Sequence, residues 1–210
     1  MTASPNLPPP SNASPAELLS LSPRKREIWE SLTRTERAAL EYTWRGFLAR
    51  PKQLAPRGDW RVWLILAGRG FGKSRTGAEW VRETVGAPNV PSKARIALVA
   101  RTAADVRDVM IEGESGILSI SPPWNRPTYE PSQRRVTWPN GAMATTYTAD
   151  KPDQLRGPQH SAAWCDEIAA WRYQDAWDQL MFGLRLGDNP QCVATTTPRP
   201  VPLVRALLAA

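Results

Sequence analysis

An apolar run that breaks into glycines and closes on Lys-Ser constrains this chain more than any other stretch of its 210 residues. Trp63-Leu64-Ile65-Leu66-Ala67 has the pattern of a short buried strand. Gly68-Arg69-Gly70-Phe71-Gly72-Lys73-Ser74 follows it, and Arg75 to Glu83 reads as a helix. Strand, loop and helix in that order make a cradle for phosphate. Glycines let backbone N–H groups close on the oxygens, the Lys73 ammonium neutralises the β/γ charge, and the Ser74 hydroxyl ligates Mg²⁺. The positive end of the helix faces the same anion. The first glycine of the usual spacing is replaced by Ala67, with extra glycines at 68 and 70. The segment assigns Gly68, Arg69, Gly70, Phe71, Gly72, Lys73, Ser74 and Arg75 to nucleotide binding. The alternative is an ordinary glycine-rich turn.

Around this loop, apolar runs alternate with helical patterns. Ala94–Ala100 reads as a second strand, and Thr102 caps a helix through Ala103–Met110. A strand over 161–165, a helix over about 174–184 and a strand over 191–197 follow. That alternation predicts an α/β fold with a parallel sheet flanked by helices. Residues 134–147 interrupt it as an inserted β-hairpin, Arg135–Trp138 and Ala142–Tyr147 joined by an Asn140-Gly141 turn. The boundaries are a disordered tail over 1–14, a helical preface and linker over 15–60, and the α/β domain over 61–210. In the preface, Thr33 and Glu36 form a capping box. The helix after it carries Ala39, Leu40, Tyr42, Trp44 and Phe47, and Pro51 stops it.

Composition removes several classes of function. No stretch reaches the ~20 apolar residues of a membrane span, and no basic-then-apolar leader opens the chain, so it is expected in the cytoplasm. A single histidine, His160, excludes a histidine-rich metal site. Cys165 and Cys192 fall in apolar runs and read as small buried hydrophobes rather than as a disulfide or metal pair. The net charge of +7 suits a polyanionic partner and equally a moderately basic soluble domain. Trp60 and Trp63, two of ten tryptophans, are core or rim packing, or else neighbours of an adenine ring.

Ser161-Ala162-Ala163-Trp164-Cys165-Asp166-Glu167 is an apolar strand that ends in two carboxylates. Downstream of a phosphate loop in the same alternating frame, Asp166 is placed to hold Mg²⁺ beside Ser74. Glu167 is placed to take a proton from the attacking water. The cation also makes two adjacent acids tolerable. Val193-Ala194-Thr195-Thr196-Thr197-Pro198 is a further buried strand, ending in hydroxyls. In a P-loop sheet of the glutamate-base type it lies between the other two motif strands. Thr195, Thr196 and Thr197 then come near the γ-phosphate, where hydroxyls can sense it. The other reading is threonine's preference for strands.

Taken with Thr102-Ala103-Ala104-Asp105-Val106-Arg107-Asp108-Val109-Met110 and Leu155-Arg156-Gly157, these segments resemble the large terminase subunit of tailed bacteriophages. The branch they most resemble is shared with prophages and gene-transfer agents, and the resemblance spans about residues 60–205. It implies a P-loop NTPase fold of the RecA-like, additional-strand (ASCE) kind, with ATP and Mg²⁺ as cofactors. It implies a homo-oligomeric ring that drives double-stranded DNA into a procapsid, with a portal protein and a small terminase subunit as partners. By the same resemblance Lys73 holds phosphates, Ser74 and Asp166 hold Mg²⁺, and Glu167 is the catalytic base. Arg69 matches an arginine that terminases often carry in this loop, and Thr195–Thr197 match a segment that couples hydrolysis to movement. Arg156 is either a finger reaching a neighbouring subunit's γ-phosphate, or a surface arginine, or one paired with Asp153.

Large terminases continue into a nuclease domain with an acidic metal cluster. This sequence reaches Ala210 without one, so a C-terminally truncated ATPase domain with no nuclease activity is expected. In this sheet type a later strand covers the outer side of the phosphate-loop strand. Without it Val62–Ala67 lies on an apolar edge. Two other functions share the motifs: a helicase-like DNA translocase, and a non-catalytic remnant that binds nucleotide or partner subunits.

Overall fold

The computed structural model describes residues 23–33, 36–37, 40, 42–89 and 91–209. They divide into two units, one running to Leu54 with Pro122–Trp124 and one comprising the rest. In the first, helix α1 spans Pro23–Ser31. The capping box is present: Glu36 Oε2 accepts from the Thr33 N–H (2.9 Å) and Thr33 Oγ1 accepts from the Glu36 N–H (3.3 Å). The helix expected to run on to Pro51 does not stay regular. Over Trp44–Leu48, Arg45 is extended (ψ 131°) and Gly46 turns left-handed (φ 83°), a conformation glycine takes without penalty. The expected tail falls outside the described residues.

The second unit is built on a seven-stranded sheet in the order β1-β7-β6-β2-β5-β4-β3. The strands are β1 (Val62–Leu66), β2 (Arg95–Ala100), β3 (Thr128–Glu130), β4 (Arg135–Thr137), β5 (Met143–Thr148), β6 (Ala162–Cys165) and β7 (Gln191–Thr196). β1, β7, β6, β2 and β5 run parallel. The hairpin around Asn140-Gly141 is there, Gly141 at φ 88° and the Asn140 amide held by the carbonyls of Val85 and Ala87 at 3.0 Å each. It does not stand apart from the sheet, however. β5 pairs in parallel with β2, β4 turns back antiparallel on β5, and β3 adds a further strand that sequence did not suggest.

Residues alternate strictly between two buried layers, as pleating requires. Ile96, Leu98 and Ala100 of β2, with Trp164 and Val193, pack under α2 (Lys73–Val85), α3 (Ala103–Asp105, continued by a wider turn over Val106–Ile111) and α4 (Ile117–Ile120). Ala97 and Val99 face the other way with Cys165, Cys192 and Ala194, under α5 (Gln174–Gly183) and α6 (Pro202–Ala209). Cys165 and Cys192 are buried free thiols, Sγ atoms 3.7 Å apart. Trp60 packs on Trp63 and Trp80, so both tryptophans singled out in the sequence join one aromatic cluster against the core. β7 lies between β1 and β6, as the motif order requires. Among the described residues β1 pairs with β7 alone, which puts it at the sheet edge.

Candidate nucleotide site

Parallel strands deliver their following loops to one end of the sheet, and this end collects every motif strand. After β1 the chain makes two left-handed glycine turns, Gly70 (φ 78°) and Gly72 (φ 82°), and enters α2 at Lys73. Gly72 is the N-cap, and its carbonyl accepts from both the Thr76 N–H and the Thr76 hydroxyl at 2.9 Å. The loop is tied to β7 where it starts, the Ala67 N–H donating to the Thr196 carbonyl (3.1 Å). Lys73 folds back over the loop, its Nζ donating to the carbonyls of Ala67 (2.9 Å) and Gly68 (3.1 Å). Gly68, Arg69 and Gly70 are exposed; Ser74 is half-buried at the helix start. The Phe71 ring packs against the core. The Arg75 guanidinium reaches forward along α2 to Glu79, Nε to Oε1 at 2.9 Å.

The two carboxylates at the end of β6 are fixed by the threonines at the end of β7. Asp166 is buried, and its Oδ1 accepts from the Thr195 hydroxyl at 2.5 Å. Burial lifts the Asp166 carboxyl above its ordinary value; the Thr195 bond and the nearby Lys73 ammonium oppose the rise, and the Glu167 charge adds to it. Lys73 is thus within electrostatic reach of Asp166. Glu167 takes a left-handed backbone (φ 47°, ψ 52°), rare for a residue with a side chain. Its Oε1 accepts from the Thr197 N–H (3.0 Å), the Thr197 hydroxyl and the Thr196 hydroxyl (3.4 Å). The three hydroxyls that the sequence placed near a phosphate, or else ascribed to strand preference, bond to these two acids.

Arg156 stands apart. It projects from the loop after β5 between buried Leu155 and left-handed Gly157 (φ 94°), and its Nε lies 3.3 Å from Asp153 Oδ1. Among the described residues no group of three or more His, Cys, Asp or Glu side chains could hold a metal by itself. A cation here would need nucleotide oxygens as well as Ser74 and Asp166.

This loop, this acid pair and this strand order meet in one domain that is matched from Leu64 to Ala210 by the family described as terminase large subunit, T4likevirus-type, N-terminal. The chain belongs to the terminase large subunit family. Solved packaging proteins share its fold. The Thermus phage P74-26 large terminase ATPase domain aligns at TM-score 0.53 and 19% identity, over 80% of this chain and 70% of that one. The large terminase of a thermophilic bacteriophage in complex with ADP aligns at 0.52 and 15%, over 84% and 38%. The bacteriophage Phi-29 viral genome packaging motor assembly aligns at 0.52 and 13%, over 75% and 50%. The terminase chain thus spans well under half of the ADP-bound relative. No curated protein matches it in sequence.

Sequence reasoning missed three residues around the site. Glu79 is fully buried on α2 and pairs with Arg75 (2.7 Å) and Arg82 (2.6 Å); its signal was the three- and four-residue spacing of opposite charges. The Trp171 indole N–H donates to the Asp166 carbonyl (3.1 Å), and the Ala169 N–H donates to Thr196 Oγ1 (3.1 Å). Both lie in the turn after Glu167, where no periodicity marks them.

Proposed function

We propose that this chain is the ATP-hydrolysing motor portion of a large terminase. It acts in the bacterial cytoplasm as a ring that drives double-stranded DNA through a portal protein into a procapsid, with a small terminase subunit as partner. The observation that carries the reading is the convergence of Lys73, Asp166 and Glu167 at one end of the sheet, with Lys73 close enough to lower the Asp166 pKa. The ADP complex of the thermophilic phage terminase and the packaging assembly of Phi-29 lend it support by fold.

In this reading the N–H groups of Gly68 to Arg75 and the Lys73 ammonium take the β- and γ-phosphates. To do so Lys73 exchanges its two carbonyl contacts for phosphate oxygens. Ser74 and Asp166 hold Mg²⁺, which offsets charge on the phosphates. Glu167 accepts the proton of the attacking water through its carboxylate, held by Thr196 and Thr197. Thr195–Thr197 join the nucleotide end of the sheet to the acids. Arg156 reaches the γ-phosphate of a neighbouring copy.

The test is Mg²⁺-dependent ATP hydrolysis across protein concentration, beside Glu167→Gln and Arg156→Ala. Removing a general base costs about 10²–10⁴-fold. The expected result is turnover per subunit that rises with concentration, falls by that factor in Glu167→Gln, and falls without loss of nucleotide binding in Arg156→Ala. Nucleotide binding with no Glu167-dependent turnover would refute the catalytic reading.

A further inference from the structure

Arg134 carries a backbone penalty that its position does not explain. It closes the turn between β3 and β4 at φ 54° and ψ 40°, the left-handed conformation that glycine takes freely and an arginine does not. Its carbonyl accepts from the Thr146 N–H (2.9 Å), so the backbone there is part of the ladder to β5 and would suit glycine equally. What a glycine would lack is the guanidinium. Arg134 Nη1 donates to Gln154 Oε1 at 3.0 Å, reaching from the β3–β4 turn to the turn Pro152–Leu155.

That second turn bears Arg156. It packs on α5 on its inner side, with Leu155 2% exposed, and its bracketing bonds include the Gln154 N–H to the Lys151 carbonyl and the Arg156 N–H to the Asp153 carbonyl, both 3.2 Å. Beyond Arg156 comes Gly157 at φ 94°, where the backbone has a glycine's freedom. The Asp153–Arg156 pair is exposed on both sides and fixes little. On the outer side, a side-chain bond from Arg134 ties this turn to the turn between β3 and β4. The Arg134 charge also bears on the Tyr147 hydroxyl, and the Tyr147 ring meets His160 edge-on at 5.4 Å on the far side of the same loop.

The geometry points to Arg134 as a positioning residue that fixes the turn from which Arg156 projects. The inference rests on the reading of Arg156 as a residue acting on a neighbouring copy. Arg134 touches no reacting atom. It holds Gln154, and through it the direction in which Arg156 leaves the fold.

Arg134→Gly separates the two roles, because it relieves the backbone while deleting the guanidinium; Gln154→Ala deletes the acceptor and leaves Arg134 in place. Hydrogen exchange at the Gln154 and Arg156 amides reads the turn without needing turnover. Both variants should speed that exchange about fivefold, the worth of one ordinary hydrogen bond. The Arg134→Gly melting temperature should stay within about 3 °C of wild type, since relieved strain and added chain entropy nearly cancel. Both should lower ATP turnover with unchanged nucleotide affinity, and neither should lower it further in an Arg156→Ala background. Unchanged exchange overturns the inference. So does faster exchange with wild-type turnover, provided Arg156→Ala is itself impaired. If Arg156→Ala turns over normally, the role of Arg156 fails first, and the positioning role falls with it.

Discussion

At Gly77 the helix after the glycine loop leaves no room for a side chain against Trp164 of β6, and an alanine there tests how tightly one is set against the other. A Cβ on Gly77 would lie 2.2 Å from Trp164 Cε2, 2.3 Å from Nε1 and 2.7 Å from Cζ2. An ordinary carbon contact is about 3.7 Å, so the ring or the helix must move by roughly 1.5 Å. Trp164 is fully buried, in register with Leu98 of β2 and Val193 of β7, and a rigid indole cannot fold away. Alanine gains about 1 kcal/mol over glycine in helix propensity, against an overpacking cost at the upper end of about 1–3 kcal/mol. The net loss is about 2 kcal/mol, or about 6 °C in melting temperature for a domain of this size. Trp164 lies two positions before Asp166, and Gly77 one turn after Lys73, so displacement also pulls the loop from the acids. Affinity for a fluorescent ADP analogue should fall about tenfold. Adding Trp164→Phe, which shortens the ring system, should restore part of both losses. A Gly77→Ala protein that melts at or above wild type would refute the close helix–strand contact.

Other perturbations probe the acids and the buried imidazole. Thr197→Val, which keeps the N–H bond to Glu167 but removes the hydroxyl, should lower turnover about tenfold and change nucleotide affinity less than twofold, measured by steady-state kinetics and analogue binding. Asp166 has its pKa raised by burial, so its ionised form weakens the fold as pH rises through that pKa. Asp166→Asn should therefore melt higher than wild type at pH 7 without Mg²⁺, while losing Mg²⁺-dependent turnover. Burial holds the His160 imidazole down to about 4 against 6.5, so the unfolded chain takes up its proton first. Stability from this group is complete above pH 6.5 and declines as pH falls toward 4, by at most about 3 kcal/mol. His160→Gln should flatten that slope in urea titrations at pH 7, 5.5 and 4.5.

The parts of the fold that sequence disclosed are those where chemistry and periodicity coincide. Gly70 and Gly72 take the positive φ values that the loop needs, and the apolar run before them is the strand that delivers it. Asp166 and Glu167 end a strand whose four residues are all buried, so the acids had to emerge at its end. The strand order followed from pairing the threonine strand between the other two. What stayed hidden depends on residues far apart in the chain. Nothing local says that β5 will join β2, because a run such as Ala144-Thr145-Thr146-Tyr147 suits a free hairpin as well as a sheet strand. Gly77 reads as a weak point in a helix until Trp164 is seen against it. The Trp44–Leu48 segment shows the converse: its apolar spacing reads as helix, yet Gly46 turns the chain left-handed.

Thr195–Thr197 show what the hydroxyls singled out in the sequence do within the fold itself. The hydroxyls lie at the motif end of the sheet, as their strand demanded, and they bond to the two carboxylates there. The fold concentrates unfavourable terms in a few residues: a buried Asp166 with a raised pKa, the adjacent charge of Glu167, and a left-handed Glu167 backbone that costs about 1–2 kcal/mol. The threonine bonds and the Lys73 field offset part of this. A cation with phosphates would offset more, because it places positive charge beside both acids and gives Lys73 stronger acceptors than two loop carbonyls. Ligand binding would thus draw on that local imbalance while Thr196 and Thr197 keep Glu167 in place. Thr196 also holds the first amide of the phosphate loop through its carbonyl, so one residue of β7 bonds to both Glu167 and Ala67.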